Sequence, residues 1–372
     1  MMRGIREIKD KEEIRGGSGK MSKIIKKSLS IIMIIGIMGC GQQEQAPGKQ
    51  NGAGSGISGA MMDLGRSAEN AFYAFLELVS DVLGFTVTKE TTRNKVGEYF
   101  SGLGKKLGDA SDELEEVAKK ATSGVDKGDN AKNPIRIAVN MAKEVLGVLK
   151  GHLDSLKDIG DANRVVEVAN NQNGASVAET ELKKAYNALK GIVDIARTQQ
   201  VKEPSASSVT LAQASIGVDA KDGAKVLASG ANAGAAVGDK AALIVSAVSG
   251  KEMLESIVKS TEGDATGTIG ANVDGSTSAL KFAKGGATAG HLAQEAAKAA
   301  AVAGGIALRS LVKEGKLASH NDNSEKAVQS AGISAVNKLL VAVEDVIKKT
   351  VKNVLEKAKE KIDEARNPKS VV

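Results

Sequence analysis

The chain has no tryptophan, one cysteine, three histidines and four prolines, with only three tyrosines and five phenylalanines in 372 residues. A single cysteine excludes an intramolecular disulfide, so the fold must be held by packing alone. Few aromatics and few prolines argue against a β-sandwich and for helices packed through small side chains. His152, His291 and His320 lie far apart with no HxxxH or HExxH spacing, which excludes a histidine metal centre read from spacing. No GxSxG elbow is present, and Gly234-Ala-Ala-Val-Gly238-Asp-Lys240 lacks the spacing of a phosphate-binding loop. Catalysis needs placed nucleophiles, bases or metals. The chain is therefore expected not to be an enzyme, to bind no cofactor and to hold no metal. A concentrated basic face is missing as well: residues 1–39 contain nine basic and four acidic residues and so carry +5 of the formal +6. Nucleic-acid binding is not expected of what remains.

What is present begins with the lone cysteine. Lys23, Lys26 and Lys27 precede an apolar run from Leu29 to Met38, and Gly39 stands directly before Cys40. A mostly apolar run of ten residues is too short to span a bilayer, which needs about 20, whereas a basic start, a short apolar core and a small residue at the cut describe a removable export signal. Ile37-Met-Gly39-Cys40 resembles the loose lipobox of spirochaetal lipoproteins. The resemblance implies that Ile37 and Gly39 suit the lipoprotein signal peptidase, and that Cys40 carries a diacylglycerol thioether and an acyl chain (palmitate) on its new amino group. Two or more chains hold a protein firmly on a membrane, at roughly 0.8 kcal/mol per buried methylene. The mixed charges of residues 1–20 are unlike any signal segment, and translation is expected to begin at Met21. Residues 21–39 are then the signal peptide.

Residues 40–60, rich in glycine, glutamine and serine, read as a flexible tether with an end-to-end distance of roughly 25 Å. Gly52-x-Gly54-x-Gly56 sits within it without a preceding strand and is linker, not a nucleotide loop. From Met61 to Arg366 the chain reads as one helical domain. Apolar residues three or four apart predict a first helix carrying Leu64, Ala68, Phe72, Phe75, Val79 and Val82. A second begins near Thr91 and Thr92 and presents Val96, Phe100, Leu103, Leu107, Ala110, Leu114, Val117 and Ala121. Its glycines Gly97, Gly102, Gly104 and Gly108 weaken it but permit close helix approach. A third covers Ile135–Ile159 and a fourth Val177–Thr198. Six of the eight aromatics lie between Phe72 and Phe100, and at helical spacing they read as core. Between Ser205 and Gly304 alanine and glycine make 40 of 100 residues, which predicts short helices joined by long exposed loops, a region where sequence can vary without loss of fold. Ser324–Arg366 is the longest periodic stretch, stopped by Asn367-Pro368. The fold class is mainly α: an elongated helical bundle with a loop-rich insert, its N- and C-terminal helices packed together.

Gly305-Ile-Ala-Leu-Arg-Ser-Leu-Val-Lys-Glu-Gly-Lys-Leu-Ala318 resembles a constant segment of the variable large proteins of relapsing-fever Borrelia, related to the Vls-type antigen of Lyme spirochaetes. Asn70–Gly84, Tyr99-Phe-Ser-Gly-Leu-Gly104 and Lys183–Gly191 are similar to that family's helical framework. The resemblance implies an outer-membrane lipoprotein that faces the exterior on its lipid anchor, encoded on a plasmid and switched among many gene copies. Its partners would be host antibodies, which variation evades. An alternative reading makes it an adhesin whose lysines between Lys348 and Lys361 engage host glycosaminoglycans.

Overall fold

In the computed structural model, residues 84–123, 132–169, 173–230, 233, 237–320 and 324–366 are described, all within one unit, Gly56–Val372. Cys40, the tether and the helix predicted from Met61 lie outside the described residues.

Helix α1 (Arg93–Ala121) starts where a threonine can cap it: Thr92 accepts from the Lys95 N–H. Val96, Phe100, Leu103, Leu107, Ala110, Leu114 and Val117 are buried, the face that the spacing predicts. Helix α2 (Pro134–Ser155) is capped by Asn133, whose side chain accepts from the N–H groups of Ile135 and Arg136, with proline in the first turn. It ends four residues before its predicted limit. Beyond it the chain carries Gly160 against Arg93, where a Cβ would overlap the Arg93 side chain. Helix α3 (Glu179–Thr198) likewise starts two residues late, since Val177 is buried beside the helix instead of within it.

The glycines of α1 differ in purpose. A Cβ on Gly97 would run into the Lys157 carbonyl, and one on Gly104 would press on Asp154, so both let α2 and the segment after it come close. A Cβ on Gly102 would meet nothing within 4 Å. Gly97→Ala is thus expected to destabilise the fold by about 1–3 kcal/mol through overpacking, and Gly102→Ala to stabilise it by about 0.5–1 kcal/mol through helix propensity. Urea unfolding midpoints check both, and equal shifts for the two variants would show that the helix contact does not set the glycine requirement.

The alanine- and glycine-rich region holds short helices, as expected: α4 (Gln213–Ile216), α5 (Val237–Ser246), α6 (Gly250–Val258), α7 (Ala279–Lys284) and α8 (Ala289–Leu292). The structure adds that these supply much of the core, with Leu211, Val226, Ile244, Met253, Ile257 and Phe282 each buried. Helix α9 (Ala299–Leu311) is buried at all thirteen positions. Its small side chains let neighbours approach on every side, and Gly305 is needed because a Cβ there would overlap Phe282.

Helix α10 (Ser324–Arg366) has the predicted bounds and, at 1.5 Å per residue, spans about 65 Å. It packs against α2, α3, α5, α6 and α9, burying Val336, Leu340, Val343, Ile347, Val351, Val354, Ala358 and Ile362. The first described residues are strapped to it. The Val87 N–H donates to Asn337 (2.7 Å), Asn337 donates back to the Val87 carbonyl (3.0 Å), and Glu344 accepts from the Gly84 N–H and the Tyr99 hydroxyl. Burial and the Glu344 carboxylate push the Tyr99 phenol up. Phe85 stacks on Tyr99 at 4.8 Å, in keeping with a structural role for the aromatics. Phe72, Tyr73 and Phe75 lie outside the described residues.

Two strands of two residues, β1 (Val168–Ala169) and β2 (Leu317–Ala318), pair in parallel with Val168 opposite Leu317 and Ala169 opposite Ala318. They are too short to show the alternation by which strands are read from sequence.

Candidate functional site

The exposed turns of the region 205–304 are held from beneath. In the segment 261–278, Ala265, Ile269 and Val273 are buried at four-residue intervals, while most residues between them are exposed. Ile269 donates its N–H to the Gly285 carbonyl (2.7 Å) and Val273 to that of His291 (3.0 Å). At the tip the turn braces itself: the Asp274 carboxylate accepts from the Ser276 N–H (2.8 Å) and hydroxyl (2.7 Å), and these bonds hold its carboxyl below the usual carboxylate range. The tip is thus shaped locally and attached through few apolar residues. Exposed positions such as Thr268, Gly270, Ala271 and Asn272 can change without disturbing a buried contact.

The framework holds buried and half-buried cations, bonded to backbone carbonyls, that sequence reading missed. Helices leave their last carbonyls without intrahelical partners, and these ends carry partial negative charge. Arg309, fully buried, donates from Nε to the Ala283 carbonyl (2.8 Å), near the end of α7. Its Nη1 donates to Ala228 (3.2 Å), just past the 3₁₀ turn Lys221–Leu227. Burial pushes its guanidinium down to about 9, so it stays charged at neutral pH. Lys338 on α10 donates to the carbonyls of Val245 and Val248, both at 2.7 Å, at the end of α5. Lys284 donates to Val177 (3.1 Å), ahead of α3. Burial lowers the pKa of both lysines.

Arg93 performs the same task at the start of α1. Its side chain is fully buried, and it donates from Nε to the Ser310 carbonyl (2.9 Å), in the last turn of α9, from Nη1 to Asp161 (3.0 Å) and from Nη2 to Gly315. Burial pushes the Asp161 carboxyl up, but the charge and hydrogen bonds of Arg93, with the N–H groups of Asn163 and Glu314, outweigh it and hold the group below the usual carboxylate range. Arg309 carries a sequence signal, an arginine among mostly apolar residues in Ile306-Ala-Leu-Arg309-Ser-Leu-Val312, whereas Arg93, in Thr91-Thr92-Arg93-Asn94-Lys95, carries none.

Ile37, Gly39 and Cys40 lie outside the described residues. His152 is half-buried on α2, its ring filling the space that a Gly191 side chain would need on α3. Burial lowers its pKa. Lys240, from the discounted glycine string, pairs with Asp222 (3.2 Å) and Asp219 (3.4 Å). The lysines of α10 stand beside acids one turn away: Lys349 with Asp345 (2.8 Å), Lys352 with Glu356 (3.6 Å) and Lys361 with Glu364 (2.7 Å). Such pairing dilutes the positive field that a sulfated polymer would require. Among the described residues no group of three or more His, Cys, Asp or Glu could hold a metal ion, and no helix is long and apolar enough to cross a membrane.

Comparison with known proteins matches this architecture. The sequence profile of the family described as Borrelia lipoprotein matches residues 68–362. Variable large protein 25 of Borrelia hermsii is 58% identical over 94% of this chain and 98% of its own length. Variable large protein 21 of the same organism is 57% identical over 94% and 98%, and Variable large protein 12 is 28% identical over 82% of each. The crystal structure of the Lyme disease variable surface antigen VlsE of Borrelia burgdorferi covers 83% of this chain and 99% of its own at a TM-score of 0.63. Its identity of 21% makes that likeness one of fold.

Proposed function

This chain belongs to the Borrelia lipoprotein family, and on that premise we propose that it is an outer-surface lipoprotein serving as a variable major antigen, held on the outer membrane through Cys40. Its role is immune evasion by antigenic variation: one version is expressed at a time, exchanged among many gene copies, and antibodies raised against one version miss the next.

One observation carries this reading: the attachment of exposed turns to a buried framework that does not depend on their sequence. The exposed segment 261–278 is tied down through backbone groups, the Ile269 and Val273 N–H groups donating to the Gly285 and His291 carbonyls and Lys281 donating to the Thr266 carbonyl (3.0 Å), and every residue type supplies such groups. Turn residues can therefore be replaced while their attachment stays the same. A handful of contacts dominates most binding interfaces, so changing a few exposed residues is enough to lose an antibody. The relatives fit this: matches that cover four fifths or more of both chains range from 58% to 25% identity.

Protease treatment of intact cells tests the placement. The chain is expected to be degraded while periplasmic proteins survive. A chain that resists until the outer membrane is broken would overturn the surface reading in favour of a structural lipoprotein facing the periplasm.

A further inference from the structure

Oxidation chemistry has few targets in this chain. There is no tryptophan, and the one cysteine is Cys40. Of the nine methionines, Met141 and Met253 lie among the described residues. Peroxides attack the thioether of methionine where they can reach it, so the placement of these two sulfurs decides where the described domain takes up oxidant. The two stand in opposite surroundings. Met253 on α6 is fully buried, with Leu254 and Ile257 of the same helix. Met141 on α2 is 65% exposed, the highest value among the exposed large apolar side chains of the described residues. Helical spacing explains the difference: Ala138, Val139, Ala142 and Leu146 form the buried stripe of α2, and position 141 falls outside it.

We propose that Met141 is a reversible oxidation site, at which the folded domain takes up one oxygen atom from a peroxide without losing its structure. A lone pair of the Met141 sulfur attacks one oxygen of hydrogen peroxide, and the O–O bond breaks as the S–O bond forms. The proton of the transferred oxygen passes to the departing hydroxide, which leaves as water. Sulfur is oxidised by two electrons and the peroxide is reduced by two. The product is methionine sulfoxide, which thiol-dependent reductases return to the thioether.

The same oxygen has different consequences at the two positions. At Met141 it is an acceptor that water satisfies. At Met253 it would be buried in apolar surroundings, where an unpaired acceptor destabilises the fold. Oxidation at Met141 also sets a polar group between Ile137 and Val148, the two other exposed large apolar side chains of α2, and so makes the outer side of that helix more polar. Only an oxidant arriving from outside the cell rests on the proposed surface location; the reactivity belongs to the fold and is measured in solution.

The test treats the full chain carrying Cys40→Ser, which has no thiol, with hydrogen peroxide and follows each methionine by peptide mass spectrometry, which separates position 141 from Met61 and Met62. Met141 is expected to react within about threefold of the rate of free methionine and at least about tenfold faster than Met253, whose sulfur is reached only when the core opens. In guanidinium the two should react alike. A second chain with Met141→Leu keeps an apolar side chain there without sulfur. The thermal melt of the first chain, once position 141 is fully oxidised, should match that of the second after the same peroxide dose. Equal rates at 141 and 253 in the folded chain would overturn the proposal, as would a difference that persists in guanidinium. A Met141 rate more than about tenfold below that of free methionine would overturn it by showing the sulfur to be covered. So would a melt lowered in the first chain but not in the second, since the thioether would then be supporting the fold.

Discussion

Arg93→Met is expected to lower the stability of the folded chain by about 3–5 kcal/mol, the scale for breaking a buried ion pair by removing one partner. Methionine keeps the length of the stem but loses three donors. The Ser310 and Gly315 carbonyls lose their donor, and Asp161 loses the charge that stabilises its ionised form. Each buried group left unpaired costs about 1–3 kcal/mol, so the two carbonyls, together with the charge lost beside Asp161, account for the total. Guanidinium unfolding measures it, and a loss under 1 kcal/mol would show that water replaces the guanidinium. The acid side of the stability curve gives a second check. Asp161 titrates lower in the folded chain than in the unfolded one, so as the pH falls towards and through that lowered range the unfolded chain binds more protons. The stability contributed by the pair is fully present above the ordinary carboxylate range and disappears as pH falls through the folded value. In Arg93→Met that portion of the acid sensitivity should be missing. Asp161→Asn added to Arg93→Met should recover part of the lost stability, since it removes the stranded charge.

Cys40→Ser should release the protein from the membrane almost completely. The proposed export signal from Leu29 to Met38 is half the length needed to span a bilayer, so after cleavage the attachment proposed here rests on lipid. Serine offers an oxygen where the thioether needs sulfur. An uncleaved precursor held by ten apolar residues, or a chain with a single acyl group, binds only marginally, with a constant of about 10⁴ M⁻¹ for one myristoyl chain. The described helices begin more than fifty residues downstream, so the melting curve of the released protein should match that of the anchored one in detergent. Fractionation of cells expressing the variant decides the matter: full retention with membranes would end the lipid-anchor reading.

The long helices were legible because leucine, valine and phenylalanine contrast with lysine and glutamate at a period near 3.6. That contrast placed the buried face of α1 from Val96 to Val117 and both bounds of α10. It failed where contrast is absent. Alanine and glycine suit a surface or an interior alike, so a region with 40 such residues in 100 could be recognised as short helices and loops but not as core. That all thirteen positions of α9 are buried follows from the helices around it. Arg93 and Arg309 escaped notice for a related reason: a lone arginine is ordinarily exposed, and these are buried because distant helix ends present carbonyls to them.

Local chemistry therefore settled the parts of this protein that need only neighbours in sequence. Regular apolar spacing states a helix without reference to the fold, and the address proposed here is read in the same local way, from a basic start, a short apolar run and a small residue before Cys40. Tertiary structure alone decided which glycines are contacts and which are open. Gly97 and Gly102 look alike in sequence, and what separates them is the Lys157 carbonyl, sixty residues from Gly97. It also decided that the exposed segment 261–278 is carried by bonds between backbone groups, and that Arg93 and Arg309 bond to backbone within the core. Side-chain spacing cannot reveal such an attachment, because its acceptor is the one group that every residue shares.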